Sequence, residues 1–207
     1  MQGKLLGAVS ALILLSGAAL AAPPDKPARP GLTSRFETLS AVKDSTAGVF
    51  GRLSAEIVRT TPGFVNAAAI NDIYEVEAGK IALQRSRSPA VRAFARRMID
   101  AHTESTARLR KTIRNYNINA TVPDRVDARR RGMLDDLRGA KSQNFDHRYI
   151  AQQVAAHKEA DILMRHYAKS GKIYGMRDFA SATAKTVAAH LAMAQDLDPR
   201  TRSASGR

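Results

Sequence analysis

The chain has 207 residues, 33 of them lysine or arginine against 19 aspartate or glutamate, and is long enough for one domain with a real core plus an appendage. It contains no cysteine, which excludes disulfide frameworks, thiolate metal sites and cysteine nucleophiles together. Its formal charge of +14 comes without tryptophan and without the aromatic interleaving that stacks bases, so charge alone does not make it a nucleic-acid binder.

The opening stretch, "MQGKLLGAVSALILLSGAALAAPP", sets Lys4 before an apolar run from Leu5 and ends it on Ala19, Leu20 and Ala21, a small-x-small cleavage pattern. Residues 1–21 therefore read as a secretory signal peptide. A transmembrane anchor is the competing reading, but the run falls short of the roughly 20 apolar residues a span needs and meets Pro23 and Pro24 at once. No cysteine follows it, which removes a lipoprotein anchor. The mature protein is expected to be periplasmic or secreted and to lack a transmembrane segment. Export changes what the charge means, which stays at +13 once Lys4 is removed. Nucleic acid is not an expected partner outside the cytoplasm. Anionic lipid headgroups, lipopolysaccharide or acidic envelope polymers are, attracted over a screening length of about 10 Å. A solvated arginine-rich surface with no specific partner is the plainer alternative.

Residues 22–63 form a spacer region. Its first part, "APPDKPARPGLTSR", is rich in proline and charge and is expected to lack order. Phe36, Leu39, Val42, Phe50, Leu53 and Ile57 then recur at loosely helical intervals, which allows an amphipathic helix over 36–59 before Thr61, Pro62 and Gly63 punctuate the chain. From Phe64 to Leu197 helical periodicity alternates with short breakers. A first helix is predicted from about Phe64 to Arg85. Ser88 as N-cap and Pro89 at the first helical position open a second, which runs to about Asn115. "NYNINATVPD" is a loop, after which Pro123 and Asp124 open a shorter helix that Gly139 interrupts. A third long helix spans about Asn144 to Lys169, stopped by Ser170 and Gly171, and a fourth spans Tyr174 to Leu197, stopped before Pro199. Residues 198–207 are a basic tail expected to lack order. With no strand-like alternation, the expected fold is all-α: an up-down-up-down four-helix bundle of residues 64–197, with an extra short helix between its second and third long helices.

The inward stripes of these helices carry unusual residues. The second has Met98, His102, Ser105, Leu109, Thr112 and Tyr116 at alternating spacings of four and three, the seam pattern of a packed helix. The third repeats it with Ile150, Val154, His157, Asp161, Met164 and Ala168, and the fourth with Phe179, Thr183, Val187, His190, Ala194 and Leu197. The first offers Ala68, Asp72, Glu75, Gly79 and Ala82, small residues that bracket the carboxylates and let backbones approach. Each long helix thus turns one strong metal-ligand side chain inward: Glu75, His102, His157 and His190. At about 1.5 Å per residue, Glu75 and His102 lie within roughly one turn of each other about the connection near residue 87, and His157 and His190 are level about the one near 173.

Buried polar groups need partners, and one per helix at mid-height is the arrangement a metal ion would satisfy. The competing reading is a polar core network in which Glu75 and the imidazoles hydrogen-bond one another. Asp72 and Asp161 could add a ligand or orient an imidazole from behind, and a solvated Asp161 is the plain alternative. His147 shares a stripe with His157 but lies about 15 Å away along the helix, too far to join it. His166 is off the stripe.

From about Phe64 to Leu197 the chain resembles the family catalogued as domain of unknown function 4142, often labelled outer membrane proteins and grouped with ferritin-like helical bundles. The resemblance rests on "YEVEAGKIAL", "SPAVRAFARRMIDAHT", "VPD", "FDHRYIAQQVAAHKEA" and "RDFASATAKTVAAHLAMAQDL". It implies a ferritin-like fold and recurrence of the residues matching Glu75, His102, His157 and His190, without a settled activity. One departure is Ala101, where the family often has an aspartate just before the histidine.

The chain contains no Glu-x-x-His, so a ferroxidase pair of metals is not expected. Three imidazoles and a carboxylate suit one Zn, Cu, Ni, Fe or Mn ion, for sequestration or envelope stress protection. There is neither a Gly-rich phosphate loop nor a nucleophile elbow; catalysis would have to be redox chemistry at the metal. A non-catalytic envelope interaction module, with basic faces holding anionic polymers and purely structural histidines, is the alternative from another class.

Overall fold

The computed structural model describes residues 60–198, so the readings of residues 1–59 (signal peptide, spacer and amphipathic helix) and of the tail after 198 lie outside the described residues. The described part is all-α, with five helices and no strand: α1 (Thr61–Arg85), α2 (Pro89–Asn115), α3 (Ala128–Gly139), α4 (Phe145–Ser170) and α5 (Tyr174–Leu197), plus a 3-10 turn over Ser142–Asn144. Among the described residues no helix is long and apolar enough to cross a membrane.

Local chemistry accounts for most of the boundaries. Gly63 N–H donates to the Thr60 hydroxyl at 3.2 Å and Val91 N–H to that of Ser88 at 3.4 Å, each serving an amide that the helix itself leaves unpaired. Thr61, Pro62 and Gly63 therefore belong to α1 rather than to the spacer. Pro62 is tolerated because the first turn does not use its missing N–H. α3 begins four residues later than Asp124, since the residue that caps it is Asp127, which accepts from Arg130 N–H at 2.7 Å. Arg85, the last residue of α1, closes the other end of α3 by donating to the carbonyls of Leu137 (2.5 Å), Arg138 (2.6 Å) and Ala140.

Each of the four long helices packs against two others, in the cyclic order α1, α2, α5, α4. Their directions differ from the up-down-up-down expectation. Arg85 lies over the Phe145 ring at 4.9 Å, joining the end of α1 to the start of α4, while the Thr61 and Tyr167 hydroxyls meet at 2.6 Å at the opposite end. Phe94 and Tyr149, each in the early turns of its helix, sit edge to face at 6.2 Å. α2 and α4 therefore run the same way, and the order is up-down-down-up. The cause is the connection between them, which crosses the length of the molecule: Ile118 packs at the end where α2 stops, and Met133, Leu134 and Leu137 of α3 pack at the end where α4 starts.

Two apolar clusters fill the interior. One holds Ile81, Phe94, Met98, Leu134, Phe145 and Ala194, the other Phe64, Leu109, Leu163, Tyr167, Met176 and Phe179. On each long helix the predicted polar residue lies between or at the border of the two clusters, so the core has a polar layer between apolar ones. Close approach of α1 and α2 next to that layer rests on Gly79, where a Cβ would stand 2.8 Å from Ile99 Cγ1 and 3.0 Å from the Ala95 carbonyl oxygen. Gly79→Val is accordingly expected to lower unfolding free energy by about 1–3 kcal/mol through overpacking, measured by urea denaturation.

Candidate metal centre

α2 brings His102, α4 His157 and α5 His190 to one point, with side chains no more than 5% exposed. The ring centroids form a near-equilateral triangle of 5.5, 5.7 and 5.8 Å, and one nitrogen from each imidazole lies within 4.8 Å of the other two. Glu75 of α1 is fully buried beside them, with Oε1 3.8 Å from Nδ1 of His157. It adjoins the triangle from outside the group of three.

The outward nitrogens are held. Asp72 accepts from Nδ1–H of His102 at 2.8 Å and from the Thr106 hydroxyl at 3.1 Å. Nδ1 of His157 is 2.9 Å from the Gln153 carbonyl oxygen, which can only accept, so that nitrogen carries the proton. Nδ1 of both rings therefore carries a proton, so that in the neutral form it is Nε2 that has the free lone pair. His102 Nε2, His157 Nε2, His190 Nδ1 and both Glu75 oxygens are buried and without a hydrogen-bond partner. A network of mutual hydrogen bonds among the four residues, the competing reading, is not what the geometry shows.

Protonation follows the surroundings. Burial, then the charge of His102, holds His157 down at about 3, and burial, then His157 and His102, does the same to His190, so both are neutral near pH 7 with lone pairs available. His102 is also pulled down by burial, but the hydrogen bond and charge of Asp72, joined by Glu75, outweigh this and raise it. Burial raises Glu75 against the charges of His102 and Arg130. The Gln153 amide is close enough to draw Glu75 back down but lies off the geometry of a hydrogen bond.

Of the two accessory aspartates, Asp72 sits behind His102, and it supplies across the helix pair the carboxylate that Ala101 does not. Asp161 turns away. Both its oxygens accept from Nε of Arg165 at 2.8 Å on the outside of α4. The buried arc of α4 is centred on Gln153, Ala156, Ala160, Leu163 and Tyr167, so the predicted stripe was rotated by about a residue, and Val154, Asp161 and Ala168 fall on its edge. His147 is exposed, and His166 is half-buried outside the cluster. Sequence reasoning missed Gln153 and Tyr149, both buried with unpartnered side-chain polar atoms. Their spacing of one and two turns before His157 was the available signal.

A family model described as domain of unknown function (DUF4142) matches residues 52–197, more than two thirds of the chain. The chain belongs to the DUF4142 family. The match begins ahead of the resemblance read from Phe64, and it contains all of Asp72, Glu75, His102, His157 and His190. DUF4142 carries no assigned activity, so membership identifies the domain and leaves its chemistry to the site. No curated protein and no solved structure matches the chain.

Proposed function

We propose that the protein is an exported, ferritin-like four-helix bundle that binds one transition-metal ion through His102, His157 and His190, with Glu75 as the adjoining negative charge, and that it serves metal sequestration or envelope stress protection. The observation that carries this reading is that three buried imidazoles from three helices each offer a nitrogen within 4.8 Å of the other two, and that each ring has a buried nitrogen without a partner, two of them on rings whose other nitrogen is already held. Such backing of a ligand histidine by a carboxylate or carbonyl is how proteins orient imidazole toward an ion. The donor set suits Zn, Cu, Ni or Fe better than Mn, which favours carboxylate oxygen. The long crossover between α2 and α4 supports the ferritin-like assignment, that class having one such connection. Residues 1–21 support export to the periplasm or beyond.

The test is elemental analysis by mass spectrometry of mature protein purified without a histidine tag. Near-stoichiometric metal is expected, and its loss in the His157→Ala/His190→Ala double variant. A wild-type protein that stays empty after reconstitution with each of the five ions would refute the reading. In that event the exposed cations of α2, among them Arg96, Arg97, Arg110, Lys111 and Arg114, become the leading feature, and sedimentation with anionic lipid vesicles would test the envelope-module alternative.

A further inference from the structure

The two ends of the bundle differ in charge. At the end where α2 and α4 stop and α1 and α5 start, residues 105–123 hold four Lys/Arg and residues 162–177 four more, with no carboxylate in either stretch, and residues 60–71 carry no charge. Arg110, Lys111 and Arg114 are exposed on one face of the last turns of α2, and Lys169 and Lys172 are exposed around the end of α4. None of the five has an ion-pair partner among the described residues. At the opposite end charge is answered: Arg138 lies 2.8 Å from Asp135 and 3.8 Å from Glu77, and Asp136 and Asp146 add further negative charge.

The positive end also carries the two large hydrophobic side chains that stand exposed among the described residues, Tyr174 at 67% and Tyr116 at 46%. They are neighbours. The Tyr116 ring lies on the backbone of Gly175, where a Cβ would overlap it, so glycine at that position is what allows Tyr116 to rest beside Tyr174. The Arg177 guanidinium is 5.8 Å from the centroid of the Tyr174 ring. A soluble polyanion would be held by the cations alone and would leave both rings in water. A bilayer with anionic lipid offers both counterparts: headgroups for the cations, each worth roughly fivefold in affinity near the surface, and a boundary layer in which tyrosine buries its ring and keeps its hydroxyl wet.

We propose that this end of the bundle docks on the surface of an anionic phospholipid bilayer through Tyr116 and Tyr174 and through Arg110, Lys111, Arg114, Lys169 and Lys172. The long helices then stand on the membrane by their ends, and none of those described is long and apolar enough to cross it. The docking face is separate from the metal centre, since Arg110 lies about two turns beyond His102 and the contact asks nothing of the imidazoles.

The chain has no tryptophan, so Tyr174→Trp supplies a single emission reporter in the full mature chain. Vesicles of mixed phosphatidylglycerol and phosphatidylcholine are expected to shift its emission to the blue, phosphatidylcholine alone is not, and added salt should reverse the shift. Gln143→Trp, an exposed reporter at the opposite end, should stay unshifted while the protein sediments with the same vesicles. Arg110→Gln/Lys111→Gln/Arg114→Gln, made in the Tyr174→Trp protein, should weaken binding by about 100-fold, roughly fivefold for each cation. Sedimentation with the mixed vesicles but no shift at Tyr174→Trp would mean attraction by charge alone and would overturn the docking face. Equal shifts at both reporters would overturn its place at this end. Emission already blue-shifted without vesicles would mean that a second copy or residues 22–59 cover the tyrosines, which also overturns the proposal, as would a failure of the mixed vesicles to bind.

Discussion

Arg130→Ala is expected to destabilise the protein by about 2–4 kcal/mol, through a lost buried hydrogen bond, lost stacking on an aromatic ring and the volume left empty. The Arg130 side chain is 2% exposed, donates to Asn71 Oδ1 at 2.9 Å and lies 3.2 Å from Glu159 Oε2. Its guanidinium stacks over the Tyr74 ring at 4.6 Å. Tyr74 in turn donates to Gln152 Oε1 at 2.8 Å, and Gln152 donates to the Met133 carbonyl at 3.2 Å. One arginine thus links α1, α3 and α4; truncating it leaves the Asn71 oxygen without its donor, while Glu159 keeps Arg129 on its other oxygen at 2.7 Å. The urea midpoint should fall with little change in slope. Arg130→Met should recover much of the loss, because an apolar side chain of similar length refills the volume while Glu159 stays paired with Arg129. A loss below about 1 kcal/mol for Arg130→Ala would place this pair with ordinary surface ion pairs.

The second large effect is the contribution of the ion itself. An ion that binds only the folded protein, present at a thousand times its Kd, stabilises by about 4 kcal/mol. Zn(II) at that excess is therefore expected to raise the unfolding free energy of the wild-type protein by about that amount, and to leave His157→Ala unchanged. Each variant is compared with itself plus and minus metal, which separates the ion's contribution from the cost of the substitution. Asp72→Asn should fold and retain the site with affinity reduced about 10–100-fold, since it weakens the group that orients His102 without removing a ligand. Equal stabilisation of wild type and His157→Ala would show that the ion binds elsewhere.

The helices and their inward histidines were legible because their signals are local. Pro89–Asn115 and Tyr174–Leu197 fall where caps, proline and periodicity put them. Asp124 misled as a helix opener. It is exposed and pairs with Arg125 at 3.1 Å, while Asp127, in an equally acidic and equally plausible position, does the capping. Asp161 misled for a different reason. α4 is flanked by α5 on one side and α1 on the other, so its buried arc is wide, and a spacing rule that finds the arc does not find its centre.

Composition, spacing and caps by themselves determined an all-α chain, four long helices and the inward placement of Glu75, His102, His157 and His190, because each depends on residues within a few turns of one another. Only the tertiary structure decided the rest. The direction of α4 depends on where α3 docks, and that is set by contacts of Met133, Leu134 and Leu137 with a cluster distant in sequence. Arg130 stands in the run "ARRRG" between a half-buried Arg129 and an exposed Arg131, and only the position of Asn71, Tyr74 and Glu159 around it makes it a core residue. Which nitrogen of each imidazole is free, and on which side of His157 Glu75 stands, are likewise matters of how helices meet, because a hydrogen bond across a helix pair is a relation in space that no single stretch of chain encodes.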